Sequence, residues 1–179
     1  MDASPRTNNL TDPVPGLVYE PDFLSADEES GLPENLNAGT WSEEMRRRVQ
    51  HFGCRYDYKA RRVDASLQTQ PLPDWLGFVC DRMRARGWFD KLPDQLIVNE
   101  YEPGQGISPH VGCVPCFGPT IVSVCLGSDC VMEFTDAETR AKTGLRLQAR
   151  GAVVLKNAAR YDYLHGIPAR KTDKLNGEI

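Results

Sequence analysis

Long apolar runs are missing from this chain: none approaches the roughly eighteen residues that a membrane-spanning helix needs. No charged-then-apolar leader opens it either, because Met1 to Asn9 is polar and contains Pro5. A membrane or secreted protein is therefore not expected, and an intracellular place, cytoplasmic or nuclear, is. Cysteine is too sparse for a disulfide scaffold, with six in 179 residues, so free thiols in a reducing compartment are expected. Cys113-Val-Pro-Cys116 is a CxxC, but no second CxxC follows and no thioredoxin-like βαβ pattern surrounds it, which argues against a zinc or redox centre. Histidine is rarest of the chemically versatile residues, with only three.

What is present fits one domain with a sizeable core, since 40% of the residues are hydrophobic. The net charge of −4 is unevenly distributed: residues 1–40 carry eight acidic side chains and a single basic one, Arg6, whereas the remainder carries twenty basic and seventeen acidic. Within that slightly basic body, Arg46-Arg47-Arg48, Arg55, Lys59, Arg61 and Arg62 are interleaved with His51, Phe52, Tyr56 and Tyr58. Cations beside aromatic rings suit a phosphate backbone with stacked bases. A solvated strand face over ordinary core aromatics accounts for the same pattern.

Residues 1–15, polar and broken by three prolines, are expected to form a mobile tail, with one domain over 16–179. Leu17 to Leu24 predicts a short strand. Ser25 and Glu28 have capping-box spacing for a helix starting at Asp27, which Gly31, Pro33 and Gly39 are expected to keep brief. Residues 49–58 can be extended with a turn at Gly53. Asp74 is placed as the N-cap of a helix carrying Trp75, Leu76, Val79 and Met83 on one side, with Arg82, Arg84 and Arg86 complementing its C-terminal dipole. After Pro93 come short β-like runs at 96–101, 107–110, 121–126, 130–134, 145–147, 152–155 and 161–165. An α+β chain built round a sandwich or jelly roll follows.

His110 and His165 lie in two of those runs, 55 residues apart. Only a fold could unite them, and a local zinc loop is excluded. The residues around them carry the comparison: Asn99-x-Tyr101, the turn Glu102-Pro103-Gly104-Gln105-Gly106-Ile107, His110, the strand Ile121 to Ser128, and Arg160-x-x-Tyr163-x-His165-Gly166-Ile167, ordered along residues 16 to 175. Here the chain resembles the AlkB family of Fe(II)- and 2-oxoglutarate-dependent dioxygenases, and is most similar to its eukaryotic tRNA-modifying branch. The resemblance implies a double-stranded β-helix core with N-terminal helices and strands. It implies Fe(II) on His110 and His165, 2-oxoglutarate contacted by Asn99 and Tyr101, and a modified base received by His51, Phe52, Tyr56 and Tyr58. The implied reaction is oxidative demethylation or hydroxylation of modified bases, RNA or tRNA favoured over DNA, with nucleic acid as the partner; the oligomeric state is not read from the sequence, a monomer being favoured.

Two departures bear on activity. The family's His-x-Asp reads His110-Val111-Gly112, so the carboxylate ligand is missing. The chain also reaches Ile179 where the family continues into a strand bearing arginines for 2-oxoglutarate and substrate, so a missing C-terminal strand is expected; Arg170, Lys171 and Lys174 do not match that motif. Gly112 is compatible with lost or residual catalysis, with a substitute ligand such as Cys113 or Asp129, or with the space for halide found in some 2-oxoglutarate halogenases. The competing functions are a non-catalytic nucleic-acid-binding module and a protein-directed oxygenase.

Overall fold

A computed structural model describes residues 14–63, 66 and 68–173. The alternation of apolar residues in the C-terminal half becomes two antiparallel sheets. Strands β1 (Leu17–Glu20), β8 (Ala152–Leu155) and β5 (Ile121–Val124) form one, in the order β1-β8-β5; β4 (Ile107–His110), β9 (Tyr163–Ile167), β6 (Cys130–Asp136) and β7 (Lys142–Leu147) form the other, in the order β4-β9-β6-β7. A separate two-stranded sheet pairs β2 (Arg48–Phe52) with β3 (Leu96–Glu100).

The two larger sheets bury their facing side chains against each other. Leu17 and Tyr19 of β1 and Val153 and Leu155 of β8 meet Met132 and Phe134 of β6 and Leu145 and Leu147 of β7. Strand β8 is buried along all four residues, because its other face, Ala152 and Val154, is covered by Phe23, Leu24, Leu32, Val79, Met83 and Trp88. A strand covered on both faces reads as a continuous apolar run, which is what Ala-Val-Val-Leu is. Among the described residues no helix is long and apolar enough to cross a membrane.

Helix α1 (Ala26–Ala38) begins with the expected capping box: Glu28 N donates to Ser25 Oγ over 3.2 Å and Ser25 N donates to Glu28 Oε2 over 2.8 Å. It is not brief, however, and runs for thirteen residues through Pro33. Buried Leu32 anchors it to the sheet, and Leu36 O accepts from the buried Gln50 side chain. These tertiary contacts offset the hydrogen bond that proline removes. The expected helix after Asp74 is also corrected. Residues 74–76 form a single 3₁₀ turn, α2 (Gly77–Ala85) follows, and the Asp74 side chain makes no cap. Its apolar side is as expected, with Val79 and Met83 buried and Trp75 and Leu76 packed against the same cluster. Arg82 and Arg86 hold Glu28 and Glu20 in ion pairs that tie α2 to the N-terminal elements. A short helix, α3 (Asn157–Tyr161), precedes β9 where only a strand was expected.

Candidate metal and base-binding site

The register of β4 on β9 sets His110 directly opposite His165. Opposed residues on one face of an antiparallel pair lie within side-chain contact, and the imidazole centroids are 4.6 Å apart. The close approach of the strands depends on Gly166, where a Cβ would stand 2.8 Å from Ile107 O and 2.9 Å from Pro109 N. Ser108 O lies 2.8 Å from His110 Nδ1. A proton on Nδ1 there leaves Nε2 with its lone pair free for a ligand role. His165 Nδ1 is buried without a partner. Burial, and then the neighbouring His110 and Arg160 charges, push the His165 pKa down to about 4; burial lowers His110 as well. Both imidazoles are thereby held in the neutral form that coordinates a metal.

Asn99 and Tyr101, on β3 and just beyond it, line the same cleft as the two histidines. A residue not singled out from the sequence organises them. Arg47 Nε donates to Asn99 Oδ1 over 2.8 Å, and its guanidinium lies 5.8 Å from the Tyr101 ring centroid and 5.9 Å from that of Tyr58. Arg47 is placed by the Glu102–Ile107 turn, since Gln105 Nε2 donates to Arg46 O over 3.0 Å. The signal in the sequence was the Arg46-Arg47-Arg48 run, but nothing local distinguishes its middle member. Burial pushes the Tyr101 hydroxyl up to about 12, against the opposing pull of Arg47, so the phenol remains a hydrogen-bond donor at neutral pH.

The basic run divides in the structure. Arg48 is engaged by Glu100 and stacks 4.2 Å over Trp41, and Arg55 is engaged by Glu44; these are architectural. Arg46, Arg47 and Arg61 line the cleft. Of the expected base-receiving residues, Tyr56 and Tyr58 line it too, packed edge to face at 5.0 Å, with Phe117 5.4 Å from Tyr56. His51 meets Tyr58 at 5.7 Å and keeps a buried Nε2 without a partner. Phe52 is only 5% exposed and sits in the interior, where it offers no ring face to a base.

The third ligand position is filled by Gly112, which is buried. A Cβ there would lie 3.0 Å from Ile121 Cδ1 and 3.6 Å from Arg160 Nη1. Arg160 is itself fully buried, donating to the carbonyls of Gly112 over 3.1 Å, Gly118 over 3.2 Å and Phe117 over 3.4 Å. Neither substitute ligand weighed from the sequence is available. Cys113 is bonded to Cys116 in a disulfide, which corrects the expectation of free thiols for this pair alone, because the fold brings the two ends of the CxxC turn together; Cys54, Cys80, Cys125 and Cys130 are free. Asp129 accepts from Arg146 Nε and Ala149 N. Of the cations near the end, Arg170 is paired with Glu133 and Asp173, Lys171 lines the cleft, and Lys174 lies outside the described residues. Among the described residues no three His, Cys, Asp or Glu side chains converge to hold a metal. The donor set is two neutral imidazoles without an anion, and it does not fit a complete centre of two histidines and one carboxylate.

Residues 16–178 match the family model described as the 2OG-Fe(II) oxygenase superfamily. The chain is 34% identical to the "Alkylated DNA repair protein ALKBH8 homolog" of Arabidopsis thaliana, the alignment covering 93% of this chain and 54% of that protein. It is 35% identical to the "tRNA (carboxymethyluridine(34)-5-O)-methyltransferase ALKBH8" of Macaca fascicularis, over 89% of this chain and 25% of that protein. Against the "Probable RNA/DNA demethylase ALKBH6" of Danio rerio the identity is 30%, over 92% of this chain and 74% of that protein. The chain therefore spans about half or less of the first two relatives. The solved structure of OsALKBH1 superposes with a TM-score of 0.68 over 89% of this chain and 88% of that one, at 16% identity, a likeness of fold.

Proposed function

This chain belongs to the 2OG-Fe(II) oxygenase superfamily, within it to the AlkB family, and on that premise we propose that its cleft receives a modified base of nucleic acid, RNA and in particular tRNA before DNA. The family uses Fe(II) and 2-oxoglutarate. The observation that carries the proposal is the convergence on one cleft of the His110–His165 pair, the Arg47–Asn99–Tyr101 wall and the Tyr56–Tyr58 aromatic edge. Stacked rings hold a base and cations hold its phosphates. Asn99 and Tyr101 are proposed to contact 2-oxoglutarate, His110 and His165 to contact iron, and Tyr56, Tyr58 and the His51 edge to contact the base.

Because the donor set lacks its carboxylate, binding of the nucleic acid stands ahead of turnover. The domain is dioxygenase-like, and the oxidative demethylation or hydroxylation of its family is lost or residual in this chain. The fold is proposed as a double-stranded β-helix over residues 16–179, preceded by a tail over 1–15, with the strand position between β3 and β5 unfilled among the described residues. It is proposed to act as an intracellular monomer.

The test is an anaerobic titration of the whole chain with Fe(II) and then 2-oxoglutarate, followed by binding of single-stranded RNA at several salt concentrations. RNA affinity that falls with salt, with no visible charge-transfer band and no succinate, is the expected result. A band with succinate release on methylated RNA would restore the enzyme, and an absence of RNA affinity would overturn the substrate class.

A further inference from the structure

The loop between β4 and β5 carries a disulfide for which the histidine pair and the base-receiving edge have no use. Arg160 frames this loop through the carbonyls of Gly112, Phe117 and Gly118. Between those anchors Cys116 N and Phe117 N both donate to Cys113 O over 3.0 Å, a single helical turn that sets Cys113 beside Cys116, and the two sulfurs are bonded. The turn is therefore held by backbone bonds and a buried guanidinium as well as by the S–S bond. Among the described residues no third His, Cys, Asp or Glu joins the two sulfurs in a metal-holding group.

The two sulfurs differ in access. Val114, 52% exposed, and Pro115 form the tip of the turn in solvent, Cys116 is half-buried, and Cys113 is buried. Both cysteines line the cleft. Thiol–disulfide exchange begins with attack of a thiolate on one sulfur, and access decides which. A thiolate arriving from solvent meets Cys116 Sγ first, which makes Cys113 the leaving group.

One carbonyl oxygen faces both sulfurs. Cys113 Sγ lies 3.3 Å and Cys116 Sγ 3.6 Å from Arg61 O. A disulfide sulfur has no hydrogen to donate, whereas a thiol at either position has one. Arg61 belongs to the hairpin 57–62, in which Asp57 N donates to Arg62 O over 3.0 Å and Arg62 N to Asp57 O over 3.4 Å. It stands at φ 52°, a left-handed conformation that a side chain of this size keeps only where its surroundings hold it. The hairpin follows directly on Tyr56 and contains Tyr58, and the Tyr56 ring is 5.4 Å from that of Phe117, the neighbour of Cys116. The loop after His110 thus meets the base-side hairpin at two points, and the chemical state of the sulfurs decides one of them.

We propose that Cys113–Cys116 is a site of reversible thiol–disulfide exchange with small dithiols and disulfides, and that its reduction fastens the 57–62 hairpin to the loop after His110. One thiolate of the dithiol attacks Cys116 Sγ, the S–S bond breaks, and Cys113 leaves as a thiolate that takes up a proton. The second thiolate of the dithiol then attacks the mixed disulfide, and Cys116 leaves and is protonated in the same way. Two electrons pass to the protein, which ends with two thiols, and the dithiol ends as a cyclic disulfide. Both thiols donate to Arg61 O. A small disulfide as oxidant runs the exchange backwards, Arg61 O loses both donors, and the hairpin is held less firmly. Neither iron nor nucleic acid enters the exchange.

The experiment treats the full chain with excess dithiothreitol and, after its removal, with excess glutathione disulfide, traps the thiols with iodoacetamide in denaturant at each stage and weighs the protein. Six alkyl groups are expected after reduction and four after oxidation, on Cys54, Cys80, Cys125 and Cys130, with the circular dichroism spectrum of the untrapped protein unchanged. Amide hydrogen exchange followed by NMR should be about threefold or more slower at Asp57 and Arg62 in the reduced chain, the scale of one hydrogen bond gained. Cys113→Ser with Cys116→Ser keeps two donors and cannot be oxidised, so both amides should exchange at the reduced-state rate under either treatment. Cys113→Ala with Cys116→Ala has no donor there and should match the oxidised chain. A thiol count that does not change between the treatments, or equal exchange at the two amides in the two states, overturns the proposal. So does equal protection in the serine and alanine variants. RNA binding measured on the same samples separates failure of this switch from failure of the proposed substrate.

Discussion

Arg160 on α3 donates through Nη1 to the carbonyl oxygen of Gly112 over 3.1 Å, and both residues are buried. With its further bonds to Phe117 O and Gly118 O, the guanidinium closes the loop that follows His110. The residue that replaces the carboxylate ligand is thus held by a buried cation whose hydrogen-bond acceptors among the described residues are carbonyl oxygens. Burial lowers the Arg160 pKa from its ordinary value, as expected for a charge without a carboxylate beside it.

Gly112→Asp should raise Fe(II) affinity, by more than the roughly 10–100-fold that changes in outer-shell partners produce. The new Cβ presses on Ile121 Cδ1, at 3.0 Å the far end of a flexible side chain, so Gly112→Asp with Ile121→Val should bind at least as well. Anaerobic calorimetry reads both. If affinity is unchanged in the two variants, the missing carboxylate is not the main defect.

Arg160→Met should destabilise the fold by about 1–3 kcal/mol for each carbonyl left unsatisfied and dry, with water entering the loop limiting the sum. Arg160→Lys should rescue only part of this, since one ammonium does not reproduce the guanidinium fork that reaches three carbonyls. Urea denaturation measures the difference, and equal stability of Lys and Met variants would show that the fork geometry is irrelevant.

The two aromatic residues placed together by sequence should separate cleanly on mutation. Phe52→Ala should cost about 3–5 kcal/mol of stability, as for any buried phenylalanine. Tyr58→Ala should leave most of the stability in place and weaken single-stranded RNA binding by about 1–3 kcal/mol, the worth of one stacked base. Filter binding and thermal melts on the same preparations test both; RNA affinity indifferent to Tyr58 would remove it from the base site.

Acid sensitivity should come in part from the Glu28–Arg82 pair. The Arg82 hydrogen bonds, with help from Ser25 N, hold the Glu28 carboxyl down at about 2, against an ordinary 4.5. The folded-state pKa is the lower one, so the stabilisation is fully present above 4.5 and is lost as pH falls from there towards 2. Arg82→Met should lower stability at neutral pH and flatten that part of the acid limb, read by chemical denaturation at pH 7, 4 and 2.5. An unchanged slope between pH 4 and 2.5 would assign the acid dependence to other carboxylates.

The sequence carried the β-rich half well because the runs there are short, rich in Ile, Val and Leu and bounded by turn residues, as the strands 96–100, 121–124 and 152–155 show. It failed where tertiary contacts overrode local chemistry. Pro33 lies inside α1 because Leu32 and Gln50 hold the helix to the sheets; Asp74 makes no cap because the chain there turns through a 3₁₀ step first; Cys113 and Cys116 pair because one turn brings them together. His110, His165, Asn99 and Tyr101 were legible through an ordered set of motifs. Arg47 was quoted only within a basic run and Arg160 only as part of the motif before His165, neither with a role, because what an arginine binds is decided only when the fold encloses it.

By itself the sequence determined which chemistry was on offer: two histidines in separate strands, a glycine where a carboxylate was needed, and aromatics among cations. Only the tertiary structure decided what those residues face. The β4–β9 register set the imidazoles opposite each other, β2 alternation buried Phe52, and the fold brought Asn99, Tyr101, Tyr56 and Tyr58 to the same cleft as the histidines. The physical reason is that side-chain identity is local, whereas register, burial and the pairing of backbone groups are satisfied only between segments distant in the chain.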